Sequence, residues 1–359
     1  MRIKDMEEVG REQNLDPTTQ TILRGINQTI GHINYGNVDW DRTLRQASLN
    51  RVLYLFSRNL LEGASPSPLL ENLELIVSEG DRWLNELRKN LEFISVSFSQ
   101  AAIPFLIIKT YRNLPYVTFD VDVLVRPEDF GKAERVLQES GAKLEYFSPK
   151  KQTNIEISPL LKIDLHKDLY WQDSTFLDLD FVWKQPRTQK IEAVACPIPN
   201  LEAELALTIA HTLYERLHLT LLEFLFIKSA WEQVKWETIS FQAIKHGWER
   251  AFCRFISIFN QLDQKVYPPL EQKEKDLLSS FQENGLKIPK VKIRSPVSFP
   301  YLYPALYGLE VWGETLLRKR CPPLYEGSYY LFALFRYHLS NKQRVPMYDH
   351  WFSFDRLKW

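Results

Sequence analysis

The sequence predicts an α+β fold in which a small β-sheet sits between two helical regions. Three observations lead there. Residues 117–125 and 161–166 alternate between faces as half-buried strands do. A well-marked helix lies between them, with Pro127 in its first turn and Gly141 as its stop. Before about residue 100, and again after residue 200, apolar residues recur at three- and four-residue steps.

Taken in order, residues 1 to about 36 are polar and read as a partly ordered lead-in. Asp39 can cap a helix starting at Trp40, with a stripe of Leu44, Ala47, Val52, Leu55 and Phe56. Ser65-Pro66-Ser67-Pro68 breaks that helix. A long second helix follows, marked by Leu73, Ile76, Trp83, Leu87, Leu91, Ile94 and Phe98. The first strand is Pro104–Ile108 and the second Val117–Val125. In the intervening helix, Glu128 and Asp129 suit the positive N-terminal end, and Phe130, Ala133, Val136 and Leu137 form the apolar stripe. A hairpin with its outer arm near Thr153–Ile157 leads to the strand Leu161–His166.

Beyond Pro197 and Pro199 the helical pattern returns. Asn200 is a cap, and one broad face runs from Leu201 to Leu217. Residues 219–231 continue it, and Trp236–Leu262 reads as one or two more helices. The charged run 271–276 is a solvated helix start. Pro296–Pro304 is extended, with helices expected near 305–319 and 327–340; the aromatic residues from Tyr329 to Trp359 read first as packing on the helical region and second as a partner surface. The expected division is 1–100, 101–197, 198–290 and 291–359.

Asp120 and Asp122 carry the chemistry. They project from one face of an apolar strand while Val121, Val123 and Val125 project from the other. Two carboxylates so placed repel each other, and a divalent cation between them relieves the cost. Oxygen ligands of this kind suit Mg²⁺ or Mn²⁺. A strand end with two solvated aspartates fits the pair alone equally well. Lys162, Asp164 and His166 share one face of the later strand, so pairing of the two strands would make Asp164 a third carboxylate.

Lys plus Arg is 45 and Asp plus Glu is 45, so no basic excess points to a general nucleic-acid binder. The widely spaced Cys196, Cys253 and Cys321 match no zinc spacing and read as reduced structural thiols. No apolar run reaches the roughly 20 residues that span a bilayer, and a cytoplasmic protein with no membrane partner is expected. His211, Glu215 and His218 fall at helical spacing but lack the zinc-protease arrangement. Leu317-Arg318-Lys319-Arg320 reads first as a solvated helix end and second as a phosphate or RNA contact.

This order of elements resembles the nucleotidyltransferase superfamily, whose palm is like that of DNA polymerase β. Within it the chain resembles the uncharacterised bacterial and archaeal nucleotidyltransferase-like family. The matching residues are Asp39-Trp40, Gln46-Ala47, Ile107-Ile108-Lys109, Asp120-Val121-Asp122, the helix to Gly141, Ile163–His166, Ala210-His211 and Trp236. The resemblance implies a small mixed-sheet palm flanked by N-terminal helices and a C-terminal helical domain. It implies metal-dependent transfer of an NMP from an NTP, ATP among them, to a hydroxyl of a small-molecule, protein or RNA acceptor. Asp120, Asp122 and Asp164 would be the catalytic and metal-binding residues, with Mg²⁺ or Mn²⁺. Such palms usually carry Gly-Gly or Gly-Ser after the first strand, where backbone meets the triphosphate. Here Lys109 and Thr110 stand in that place. The nucleotide-binding set is then Lys109, as a point charge, Thr110, through its hydroxyl, Arg112 and His166. Two other readings compete: a degenerate palm that binds without turnover, and an Asp-x-Asp glycosyltransferase, which would want an α/β domain ahead of the motif.

Overall fold

The computed structural model describes residues 14–27, 33–63, 67–148, 152–156, 161–171, 174–266, 288–289, 291, 293 and 295–303. The charged run 271–276, the C-terminal helices and aromatics expected after residue 303, the basic cluster at 317–320 and Cys321 lie outside the described residues.

Helices precede the sheet, as the periodicity predicts, but with two corrections. The expected lead-in contains helix α1 (Pro17–Ile26), capped by Asp16, which accepts from the backbone N–H groups of Thr18 and Thr19. Ile22 and Leu23 bury its inner side. The single helix expected after Asp39 is two: α2 (Trp40–Leu49), capped by Asp39 as predicted, and α3 (Leu53–Glu62). Arg51 breaks them with φ of 59°. Gly25 lets α1 close on α3, because a Cβ there would sit 2.3 Å from Cε2 of Phe56. Overpacking of that kind costs about 1–3 kcal/mol. It outweighs the roughly 1 kcal/mol alanine gains over glycine in a helix. Gly25→Ala therefore lowers the urea midpoint of unfolding.

The long helix α4 (Ser67–Gln100) runs for 34 residues as expected. It leads into β1 (Phe105–Ile108) and β2 (Asp120–Val125). The strand starts at Asp120 instead of Val117, because β1 ends at Ile108 opposite Asp122 and gives the earlier residues no partner on that side. A 3-10 turn at Pro127–Asp129 enters α5 (Phe130–Glu139). Gly141, at φ of 90°, stops it. The sheet continues with β3 (Lys143–Ser148), β4 (Gln152–Glu156) and β5 (Lys162–His166).

These five strands form one mixed sheet in the order β1-β2-β5-β4-β3. Only β2 and β5 pair in parallel; the other neighbours are antiparallel. Val121, Val123, Val125, Ile163 and Leu165 are fully buried. α4 packs on β2, and α5 on α4. Phe98 of α4 meets Phe105 edge-on at 5.5 Å, and Asn90 donates to the Leu161 carbonyl.

Two short hairpins follow, β6 (Tyr170–Trp171) with β7 (Ser174–Thr175) and β8 (Arg187–Ile191) with β9 (Val194–Ile198). The short helix α6 (Leu179–Trp183) lies between them. The second helical region starts with α7 (Leu201–His211), capped by Asn200 as predicted. The broad face expected to run on to Leu217 is interrupted. The chain widens into a π-helical turn at Thr212–Arg216 and ends at Leu217 with φ of 56°. After β10 (His218–Leu219), helix α8 (Leu221–Ala230) begins with a capping box of Thr220 and Glu223. α9 (Trp236–Lys245) and α10 (Glu249–Val266) complete the region, and β11 (Tyr301–Leu302) pairs with β10. No helix among the described residues is long and apolar enough to cross a membrane. Cys196 and Cys253 are buried thiols outside any disulfide, and burial pushes the Cys196 thiol up to about 11.

Candidate functional site

The parallel pairing of β2 with β5 builds the site. It sets Asp122 directly beside Asp164 and Asp120 beside Lys162. Directly opposed residues share a face. The three aspartates named from alternation alone therefore lie on one face of the sheet. Ligand atoms of Asp122, Asp164 and His166 lie within 4.8 Å of one another. Ligands about 2.1 Å from an octahedral ion stand about 3 Å apart when adjacent and about 4 Å when opposite. The donor set fits a divalent cation after a small closure, and the imidazole is more readily accepted by Mn²⁺ than by Mg²⁺.

Asp122 is the centre of the cluster. Lys109 Nζ and His166 Nε2 each lie 2.8 Å from its Oδ1. Burial pulls its pKa up, but the Lys109 charge and the His166 contact win and hold it well below the usual carboxylate range. Asp120 goes the other way: burial, and then the Asp122 charge, raise its pKa. Two carboxylates pushed apart in this manner are what a shared cation would reconcile. Thr118 Oγ1 donates to Asp120 Oδ1 at 3.3 Å.

Lys109 takes φ of 56° at the end of β1. The backbone thus adopts the left-handed turn that glycine would make there, at a cost of roughly 1–2 kcal/mol for an L-residue. That turn aims the Lys109 side chain at Asp122. Two of the expected phosphate contacts are placed otherwise. Thr110 is buried, and its hydroxyl accepts the Asp122 N–H at 3.1 Å. It fixes the strand because β1 has already ended. Arg112 points into the core, where it pairs with Glu204 at 2.9 Å and lies over the Phe226 ring.

A cleft of about 490 Å³, open to solvent, adjoins Asp122 between the end of β5 and α7. Lys109, His166, Asp168 and His211 supply its polar lining, with Phe176 and Leu207 among the apolar walls. His211 and His218 do not share a helical face, since the π turn intervenes. His218 is buried, its Nδ1 lies 2.7 Å from the Arg216 carbonyl oxygen, and burial lowers its pKa to about 4.

Sequence reasoning missed Arg51, Arg216 and Glu223. Thr220-x-x-Glu223 is a readable capping signal, but nothing local marks the two arginines. Glu223 is fully buried, and burial raises its pKa. The charges of Arg216, Arg51 and His211, with the Thr220 hydrogen bond, overcome this and bring it to about 2. A depressed carboxyl pKa contributes stability above the unfolded value near 4.5 that is lost as pH falls toward about 2. The shift is worth about 3 kcal/mol. Urea midpoints of the wild type should fall steeply across that window, and those of Glu223→Gln should start lower at neutral pH and fall less.

A profile of the family described as "Uncharacterised nucleotidyltransferase" matches residues 36–262, more than half of the chain. No curated protein sequence matches it. Solved structures give partial likenesses. The crystal structure of the lincosamide antibiotic adenylyltransferase LnuA with lincomycin bound aligns at TM-score 0.31 and 15% identity, covering 41% of this chain and 97% of that one. The solution structure of the antibiotic-resistance factor ANT(2'')-Ia gives 0.33 and 12%, covering 45% and 91%. The crystal structure of ANT(2'')-Ia with adenylyl-2''-tobramycin gives 0.34 and 12%, covering 45% and 95%. The chemistry of the site rests on its own residues.

Proposed function

Because the chain belongs to the uncharacterised nucleotidyltransferase family, we propose that it moves a nucleoside monophosphate from a nucleoside triphosphate to a hydroxyl group of an acceptor. The observation that carries this reading is the register of β2 and β5, which sets Asp122 beside Asp164 with Asp120 on the same face. Asp120, Asp122 and Asp164 would hold Mg²⁺ or Mn²⁺. When bound, such ions neutralise phosphate charge and stabilise the attacking and leaving oxygens.

The side chains have separable tasks. The acceptor oxygen forms a bond to the α-phosphorus as the bond from that phosphorus to the bridging oxygen breaks. The bridging oxygen leaves with the electron pair as part of pyrophosphate. Asp164 takes the hydroxyl proton. His166 and Lys109 keep Asp122 ionised, and Lys109 can then turn to a phosphate oxygen as a point charge. The cleft beside His166 gives the acceptor or the base a partly apolar seat.

Calorimetric titration tests the reading. ATP, GTP, CTP and UTP, each with Mg²⁺ or Mn²⁺, are titrated into the wild type and into Asp120→Asn/Asp122→Asn. Metal-dependent binding of at least one nucleotide, lost in the double variant, is expected. Binding that survives in the variant would sink the proposal. Binding that depends on the aspartates but never leads to turnover with any acceptor would favour the degenerate palm.

A further inference from the structure

The chain leaves β1 through a tight turn. The Thr110 N–H returns to the Ile108 carbonyl and closes a three-residue turn with Lys109 at its apex, at φ of 56°. A turn of this length with positive φ at its centre is the rare, strained kind, and glycine is the residue that suits it. The chain has no glycine between Gly80 and Gly131, so contacts from outside the turn have to hold it. Two side chains supply them.

Tyr116 is buried, and its hydroxyl donates to the Thr110 carbonyl at 2.6 Å and lies 3.5 Å from the Lys109 carbonyl oxygen. One phenol thus gathers the two carbonyls that lie past the end of β1. Thr110, also buried, acts on the neighbouring strand. β1 stops at Ile108, opposite Asp122, and the Asp122 N–H donates to Thr110 Oγ1 at 3.1 Å in place of a strand carbonyl. From the apex of the turn, Lys109 Nζ reaches Asp122 Oδ1 at 2.8 Å. The contacts close a ring: the Asp122 backbone to the Thr110 hydroxyl, the Thr110 carbonyl to Tyr116, and the Lys109 amine back to the Asp122 carboxylate.

We propose that Tyr116 and Thr110 are positioning residues of the site: Tyr116 holds the turn that presents the Lys109 ammonium, and Thr110 holds the backbone from which the Asp122 carboxylate projects. This rests on the nucleotidyl-transfer reading and deepens it. Neither residue touches the nucleotide; each acts through a neighbour that does, or through a metal ligand. Their effects are therefore separable. Without the phenol hydroxyl the turn loosens and Lys109 with it, while Asp122 stays bonded to Thr110. Without the Thr110 hydroxyl a buried N–H is left unmet, and the Asp122 carboxylate shifts from the cation.

The test uses the full chain and two probes: Mn²⁺ alone, read by electron paramagnetic resonance, and inorganic triphosphate with Mn²⁺, read by calorimetry. Tyr116→Phe keeps the ring and removes the hydroxyl. It should weaken triphosphate binding about 10-fold, the worth of one hydrogen bond, with Mn²⁺ affinity within about twofold of the wild type. In a Lys109→Met background the same substitution should change triphosphate binding by less than about twofold, because the side chain it positions is gone. Thr110→Val keeps the shape and should weaken Mn²⁺ binding about 10- to 100-fold, the cost of losing an outer partner of a metal ligand. Thr110→Ser should restore it to within about twofold of the wild type. Tyr116→Phe with wild-type triphosphate affinity, or with equal losses in both backgrounds, overturns the role of Tyr116, as does a wild type that binds Mn²⁺ but no triphosphate. Thr110→Val with wild-type Mn²⁺ affinity, or Thr110→Ser binding as weakly as Thr110→Val, overturns that of Thr110. If Thr110→Val does not fold, the Tyr116 comparison alone decides. Asp122-dependent nucleotide binding alongside variants that bind like the wild type leaves the transfer reading standing; a wild type that binds neither probe removes both.

Discussion

Asp122→Asn weakens Mn²⁺ binding by at least about 100-fold, since loss of a mere outer partner of a metal ligand already costs 10–100-fold. The substitution keeps size and shape, so the Asp122 N–H remains bonded to Thr110 Oγ1 and β2 stays in register with β5. What disappears is the negative charge on which Lys109 and His166 converge. Folding records the same loss with a definite sign. The folded-state pKa of Asp122 is depressed, so its contribution to stability is complete above the unfolded carboxylate value and is lost as pH falls below it. The variant should melt below the wild type at pH 7, and the two should converge in acid. Electron paramagnetic resonance of Mn²⁺ and melting curves from pH 3 to 7 read the two effects separately. Unchanged Mn²⁺ affinity would remove Asp122 from the metal set whatever the melting curves show.

The elements with one dominant local signal were legible. α4 declares itself through a stripe running from Leu73 to Phe98, and the common face of Asp120, Asp122 and Asp164 follows from a two-residue period and the pairing of their strands. Three features were not legible, and each breaks a local rule. The stripe of Leu44, Ala47, Val52 and Phe56 continues straight across Arg51, so periodicity joins two helices that a left-handed residue separates. The stripe from Leu201 to Leu217 likewise conceals the π turn. Lys109 occupies a left-handed position with no glycine to announce it. Lys109 lies on the acid face, 2.8 Å from Asp122. Strain that packing elsewhere must support collects where the side chain it aims is worth more than local comfort. Glu204 was hidden for a different reason: it meets Arg112 across 92 residues of sequence, and no window contains both.

Arg112→Met costs about 3–5 kcal/mol of stability and leaves nucleotide binding by the folded protein unchanged. The guanidinium and the Glu204 carboxylate are 2% and 0% exposed, paired at 2.9 Å, with the Phe226 ring against the arginine. Removing one partner of such a pair strands a buried charge, and that stranded charge sets the penalty. Burial already raises the Glu204 pKa, with the Arg112 charge opposing it. Without Arg112 the carboxyl escapes by taking up a proton, so the deficit is greatest at alkaline pH and shrinks as pH falls through the raised value. Arg112→Met/Glu204→Met should recover most of the loss, because apolar replacement of a buried pair is often neutral or better and Arg112 Nε and Glu204 Oε2 have no hydrogen-bond partner to forfeit. Urea titrations of the single and double variants measure this, and nucleotide calorimetry decides the role. A guanidinium that touched phosphate would raise the dissociation constant in both variants. One that only neutralises Glu204 leaves it unaltered once the double variant restores the fold.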